Sequence, residues 1–172
     1  MIHQTTPIRR LNMMNAHGFV RTVGEVFEHS PWVAEQAFHF HPFKSIDDVH
    51  EKMCQVVKEA SEEQKVALIR AHPDLVGRMA KPLTPQSQAE QASAVLDRLS
   101  DEEREAFQAY NDVYREQFHF PFVICVRENR KDAILAAFPR RLKHARAREI
   151  DVNIEEICKI ARLRLMDVLS EE

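Results

Sequence analysis

Glycine is scarce in this chain, with 3 in 172 residues. A sheet protein linked by tight hairpins needs more, so a predominantly β fold is not expected. Cysteine is as rare. Cys54, Cys125 and Cys158 are odd in number and far apart, which argues against a disulfide framework or a zinc site built on cysteine pairs and points to a reducing, cytoplasmic setting. No apolar run approaches a membrane span, the longest being Phe120 to Val126. Residues 1–10 lack the apolar core of a secretory signal, and Ser170-Glu171-Glu172 is no peroxisomal address. Charge of one sign is missing too. The net charge of −3 supplies no basic field for nucleic acid or an anionic membrane. No glycine-rich phosphate loop occurs, so a nucleotide cofactor is not expected.

What is present favours helix: Ala, Glu, Gln, Leu and Arg dominate. The expectation is an all-α fold, a single-domain helical bundle over residues 1–172 of about seven to nine helices with one buried extended segment. Helix starts are signalled by a small polar residue followed three positions later by an acid or amide: Ser45 with Asp48, Ser61 with Gln64, Ser100 with Glu103. Apolar stripes follow. Phe19, Val23, Val26 and Phe27 form one, and Ile46, Val49, Met53, Val56 and Val57 another. Phe107, Tyr110, Val113, Tyr114 and Phe118 mark a longer helix ending near His119.

Two segments carry candidate chemistry. In Ala71-His72-Pro73-Asp74-Leu75-Val76-Gly77-Arg78 the proline stops a helix and pushes His72 into extended geometry, setting an imidazole on a rigid corner. Such a ring suits proton transfer, although the helix dipole alone also accounts for a histidine there, and spacing favours that plainer reading. The second segment is Ser87-Gln88-Ala89-Glu90-Gln91. Ser87 and Glu90 match a capping box, but Thr84-Pro85 is a competing start that would place both inside the helix on one face. Periodicity cannot choose between a solvated Glu90 and one facing a cleft. Pro82 and Pro85 frame the connector before it.

Phe120 to Val126 is β-branched enough for a strand, yet nothing else in the chain offers it a partner. It reads as a buried extended segment whose backbone amides need partners, a need a ligand could meet. In the last helix, from about Ala147 to Leu169, the stripe is Ile150, Ile154, Ile157, Ala161, Leu165 and Val168. Arg164 lies on its flank and requires an anionic or carbonyl partner, whereas Arg162 points away. His39-Phe40-His41 and the further histidines invite a metal-dependent hydrolase reading, but a zinc site needs three or four ligands with supporting acids and no HExxH-type helical pair is present, so no metal is expected. Cys125 is embedded among apolar residues that disfavour a thiolate. A non-enzymatic helical interaction module using Trp32 and the aromatic stripes is the third reading.

The ordered set of motifs resembles the 2-oxo-4-hydroxy-4-carboxy-5-ureidoimidazoline (OHCU) decarboxylases of urate breakdown. The likeness runs from Leu11-Asn12 and Phe19 through Gly24 to Glu35, Pro42-Phe43, Leu68 to Leu75 and Ser87 to Gln91. It continues with Asn111, Tyr114 and Phe118, then Phe120 to Val123 and Lys159 to Leu165. The resemblance implies an all-helical fold, a homodimer, a small ureide substrate, and no metal or organic cofactor. It implies His72 and Glu90 as catalytic residues. Pro73, Ser87, Gln91, Phe122, Val123 and Arg164 become substrate-binding positions, with backbone amides donating from the Phe120 to Val123 segment. Departures from the family pattern fall at His41, His119, Ser93-Ala94, Pro139 and His144, none on the implied acid–base pair.

Overall fold

A computed structural model describes residues 4–76, 84–93, 96 and 98–172. Gly77, Arg78, Pro82 and Ala94 of the motifs above lie outside the described residues, as do the side chains of Ala92 and Ser93. The described fold is all-α, with nine α-helices: α1 (Ile8–Leu11), α2 (Ala16–Val23), α3 (Trp32–Ala37), α4 (Ile46–Glu59), α5 (Glu62–Ala71), α6 (Pro85–Ser93), α7 (Asp101–Phe118), α8 (Lys131–Arg141) and α9 (Arg146–Val168). One feature escaped the sequence. Thr6–Pro7 and Leu169–Ser170 form a two-residue parallel bridge, β1 with β2, too short to leave a periodic signal.

The helix starts are built from the residues that announced them. Ser45 Oγ accepts the Asp48 amide. Ser61 and Gln64 cap reciprocally, as do Ser100 and Glu103, satisfying amides that the first turn leaves unpaired. The long helix α7 ends as expected, with His119 as its cap in the left-handed region, φ 63°. Pro139 does not break α8. It sits in the last turn, and the helix stops two residues later at Arg141.

The chain forms two compact units: Met1–Ala71 with Cys158–Glu172, and His72–Ile157. In the first, Phe19, Val23, Phe27, Val33, Val49 and Met53 are buried, and Phe19 stacks on Phe43. Asn12 fixes Phe43 through both its backbone groups, at 2.8 and 2.7 Å. In the second, Phe107, Tyr114 and Phe118 of α7 meet Phe120, Phe122 and Phe138, with Phe122 stacked on Phe138. Val113, expected on the α7 stripe, is exposed, because its rotation from Phe107 places it on the far side of the helix.

Candidate active site

α5 ends at Ala71, directly before His72 and Pro73, so the helix stops where the proline requires it to. Its side chain is buried, at 5 % exposure. The residues that follow are held one after another. Asp74 accepts from Arg115 Nη2 at 2.7 Å. The Leu75 carbonyl accepts from Asn111 Nδ2 at 2.6 Å, and the Val76 amide donates to Gln91 Oε1 at 3.3 Å. Val76 has φ 55°, a left-handed conformation that a β-branched residue rarely adopts. Asn111 Oδ1 is buried without a hydrogen-bond partner among the described residues. An orphaned acceptor costs about 1–3 kcal/mol against the roughly 0.5–1.5 kcal/mol a typical bond contributes, so Asn111 adds little net stability.

α6 settles the choice left open at Ser87. Thr84 is the cap: its Oγ1 accepts the Ser87 amide at 3.1 Å, its carbonyl accepts Gln88 N–H, and Pro85 takes the first helical position. Ser87 and Glu90 therefore lie inside the helix and both are buried, while Gln88 and Ala89 are exposed. Glu90 is not a solvated residue. Its charge acts on the Cys125 thiol, and α6 packs against the turn Val126–Glu128. Gln91, the next residue, reaches the His72 corner. α6 thus joins the corner to the extended segment within one unit.

The segment from Phe120 to Cys125 is buried and lies outside any helix or strand among the described residues, with extended backbone at Cys125. Its polar backbone is met by side chains instead. Val123 N–H donates to Asn153 Oδ1 at 2.8 Å, and Cys125 N–H to Glu156 Oε1 at 3.3 Å. The Val123 carbonyl accepts from Arg141 Nη1 at 2.6 Å. Of the two amides the resemblance offers to a substrate, that of Val123 is therefore engaged by Asn153. Behind the segment, Glu149 accepts from Tyr114, from Arg141 Nε at 2.8 Å, and pairs with His144 Nδ1 at 2.8 Å. Asn153 closes the ring to Arg141 and Tyr114. Burial raises the Tyr114 phenol's pKa, with Arg141 pulling the other way.

Glu149, Asn153 and Glu156 recur at helical spacing, a polar stripe beside the apolar one on α9. Sequence reasoning assigned them nothing, since such a stripe reads first as a solvated face. Arg141 was missed for the same reason, sitting among the basic residues at the end of α8.

Arg164 belongs to the first unit. It is 3 % exposed, and its Nη1 donates to Glu28 Oε2 at 2.8 Å, the anionic partner that its flank position demanded. Glu28 went unremarked, hidden after the apolar Val26-Phe27. In the same unit His50 Nε2 lies 2.7 Å from the Cys158 carbonyl and 3.2 Å from Cys54 Sγ. A hydrogen bond to Cys158, with burial, pushes the Cys54 thiol's pKa well up. In the second unit, burial raises Cys125 to about 11, with Glu128, Glu156 and Glu90 adding to the shift, which disfavours the thiolate a nucleophile needs. His41 is exposed and stacked on Phe38. Among the described residues no group of three or more His, Cys, Asp or Glu side chains is placed to hold a metal ion. No described helix is long and apolar enough to cross a membrane.

A family model for OHCU decarboxylase matches residues 12–166. The chain belongs to the OHCU decarboxylase family. A 2-oxo-4-hydroxy-4-carboxy-5-ureidoimidazoline decarboxylase of Haloferax volcanii is 44 % identical over 171 residues, covering 99 % of this chain and 100 % of that protein. The uric acid degradation bifunctional protein PucL of Bacillus subtilis is 38 % identical over 94 % of this chain but only 32 % of its own length. Among solved structures, that of an (S)-allantoin synthase superposes with a TM-score of 0.78 at 29 % identity. It covers 96 % of this chain, which spans about half (54 %) of that protein. A carboxy-lyase family thus meets a unit in which a histidine, a glutamate and an amide-bearing segment are all buried.

Proposed function

We propose that this protein decarboxylates 2-oxo-4-hydroxy-4-carboxy-5-ureidoimidazoline to (S)-allantoin and CO2 in urate breakdown. The family match over nearly the whole chain supports the activity, and the burial of both His72 and Glu90 in one unit supports the assignment of roles. The substrate carries a carboxylate and a hydroxyl on one ring carbon, next to a ring C=N bond. When the bond to the carboxylate breaks, its electron pair forms a C=C bond with the neighbouring carbon, and the C=N pair moves onto nitrogen. The substrate thus provides its own electron sink, and the chemistry demands no metal, pyridoxal or thiamine. That nitrogen takes up a proton, the hydroxyl then gives up its own and becomes a carbonyl, and a proton arrives on the neighbouring carbon. The face on which it arrives sets the handedness of the product.

In this reading His72 moves the proton that completes the product. Glu90 accepts from the substrate's hydroxyl or N–H groups, and its charge near the carboxylate favours departure as neutral CO2. Ser87, Pro73 and the Phe122-Val123 backbone orient the ring, with Asn153 competing for the Val123 amide. Gln91, whose oxygen serves Val76, retains a carboxamide nitrogen to donate. Arg164 carries a proposal of its own, substrate binding by its guanidinium, for which Arg164→Lys raises KM. The family resemblance further supports residues 1–172 acting as one catalytic domain, in a cytoplasmic homodimer. Light scattering at working concentration tests the dimer.

The deciding experiment follows circular dichroism of the product while the unstable substrate is generated in place from urate. His72→Asn loses about a thousandfold in turnover and keeps the helical spectrum. Retained formation of a single enantiomer at the normal rate would remove His72 from catalysis.

A further inference from the structure

The corner after His72 is held more tightly than a turn needs. Three consecutive residues are each gripped by a different polar side chain: the Asp74 carboxylate by Arg115, the Leu75 carbonyl by Asn111, and the Val76 amide by Gln91. Asn111 and Arg115 stand one turn apart on the 18-residue helix α7, so two of the grips come from one rigid rod. The third comes from α6, which also carries Glu90. Pro73 stiffens the link back to His72, and the grips end at a valine forced to φ 55°. Such strain persists only where surrounding contacts over-determine the backbone. Asn111 supplies its bond while its own Oδ1 is buried and unpaired among the described residues, a poor arrangement for a residue kept only for stability.

We propose that Asn111, Arg115 and Gln91 are positioning residues: they fix the Asp74–Val76 backbone and so hold the His72 imidazole at the angle from which it serves one face of the substrate. This rests on the catalytic reading of His72 given above. None of the three need transfer a proton in this role; Asn111 and Arg115 touch the corner, and Gln91 ties the corner to the helix of Glu90. The strain at Val76 is the cost of stopping the corner in an orientation that relaxed backbone would not keep.

The test compares Asn111→Leu, Val76→Gly, Arg115→Met and Arg115→Lys with His72→Asn, each assayed well below its thermal midpoint so that unfolding cannot imitate a catalytic defect. The leucine variant removes the grip and the orphaned oxygen together, and the glycine variant removes the strain. Both stay folded at the assay temperature, with midpoints somewhat below wild type because the leucine leaves the Leu75 carbonyl unpaired and the glycine removes a buried side chain. In both, kcat falls about tenfold, KM stays within about twofold, and the optical purity of allantoin drops as solvent protonates either face. Arg115→Met behaves like them, and Arg115→Lys, which can still meet Asp74, recovers most of the rate. Wild-type kcat and wild-type optical purity in folded Asn111→Leu and Val76→Gly, with His72→Asn inactive, would overturn the positioning role alone. Wild-type turnover in His72→Asn as well would overturn the catalytic reading beneath it.

Discussion

Around Arg141 every charge meets its opposite. The guanidinium reaches Glu149, Asn153 and the Val123 carbonyl, Glu149 also takes Tyr114 and His144, and no member of the ring has a positive φ. Around His72, in the same unit, a valine is strained and an amide oxygen is buried without a partner among the described residues. Both clusters bury polar groups, and both lie against α7. They differ in whether their bonds are completed. Burying a charge is tolerable when its partners are present, and this ring takes up both backbone groups of Val123 in the middle of the buried segment. An incomplete, strained cluster contributes less to stability, and it is kept where orientation matters more than strength. On the catalytic reading proposed for His72, the contrast gives one cluster to the fold and the other to the reaction.

The largest effect that tests this division is Arg141→Met. It leaves the fully buried Glu149 carboxylate without its guanidinium, which costs about 3–5 kcal/mol. For a chain of this size the loss lowers the thermal midpoint by about ten degrees or more. Adding Glu149→Leu to the same variant recovers a good part of that loss, because no unpaired charge is left behind. Denaturant unfolding of the single and double variants measures both. A small loss in Arg141→Met would mean that the ring is no more structural than the corner, and the comparison would collapse.

A second pair of substitutions sharpens it. His119, like Val76, holds a left-handed φ, at 63°, but as the exposed C-cap of α7. Glycine reaches that conformation without strain, so His119→Gly stabilises the protein by about 0.5–1 kcal/mol and leaves kcat unchanged. Val76→Gly relieves the same kind of strain at the expense of turnover. One chemical change at two sites thus separates strain that is merely tolerated from strain that is used. Equal kinetics in the two variants would erase the distinction.

What could be read in the sequence was local. Ser61 with Gln64 and Ser100 with Glu103 announce helix starts because their partners sit three residues away, and Pro73 fixes the corner because it acts on its own neighbour. Thr84 against Ser87 could not be decided locally, since either can cap and only packing shows which turn is buried. The network partners were invisible for a different reason. Asn153 and Glu156 take backbone amides 30 and 31 residues away, Glu149 takes Tyr114 across 35 besides its nearer partners Arg141 and His144, and Glu28 pairs across 136, so little in their own segments distinguishes them from surface residues. Asn111 was seen as part of a pattern, but its grip on Leu75 spans 36 residues. The family resemblance named candidate substrate-contacting positions, and it was silent on the side chains bonded around them.

The smallest effect concerns α7 itself, the helix both clusters share. Glu103 has two tasks at its start: its side chain closes the capping box on the Ser100 amide, and it pairs with Lys131 at 2.8 Å. Lys131 foremost, then the Ser100 amide, holds the Glu103 carboxyl below its ordinary pKa. A carboxyl whose pKa is lowered on folding stabilises the fold above the unfolded value, and that contribution is lost as pH falls through the folded one. Glu103→Gln keeps an oxygen for the cap and removes only the charge. The variant is therefore slightly less stable than wild type at neutral pH, and the difference fades below the carboxylate range and in high salt. Thermal midpoints of the two proteins across pH 2–7 check this. A gap that persists undiminished at the acid end would show that the glutamine fails as a cap, placing the value of Glu103 in its hydrogen bond rather than in its charge.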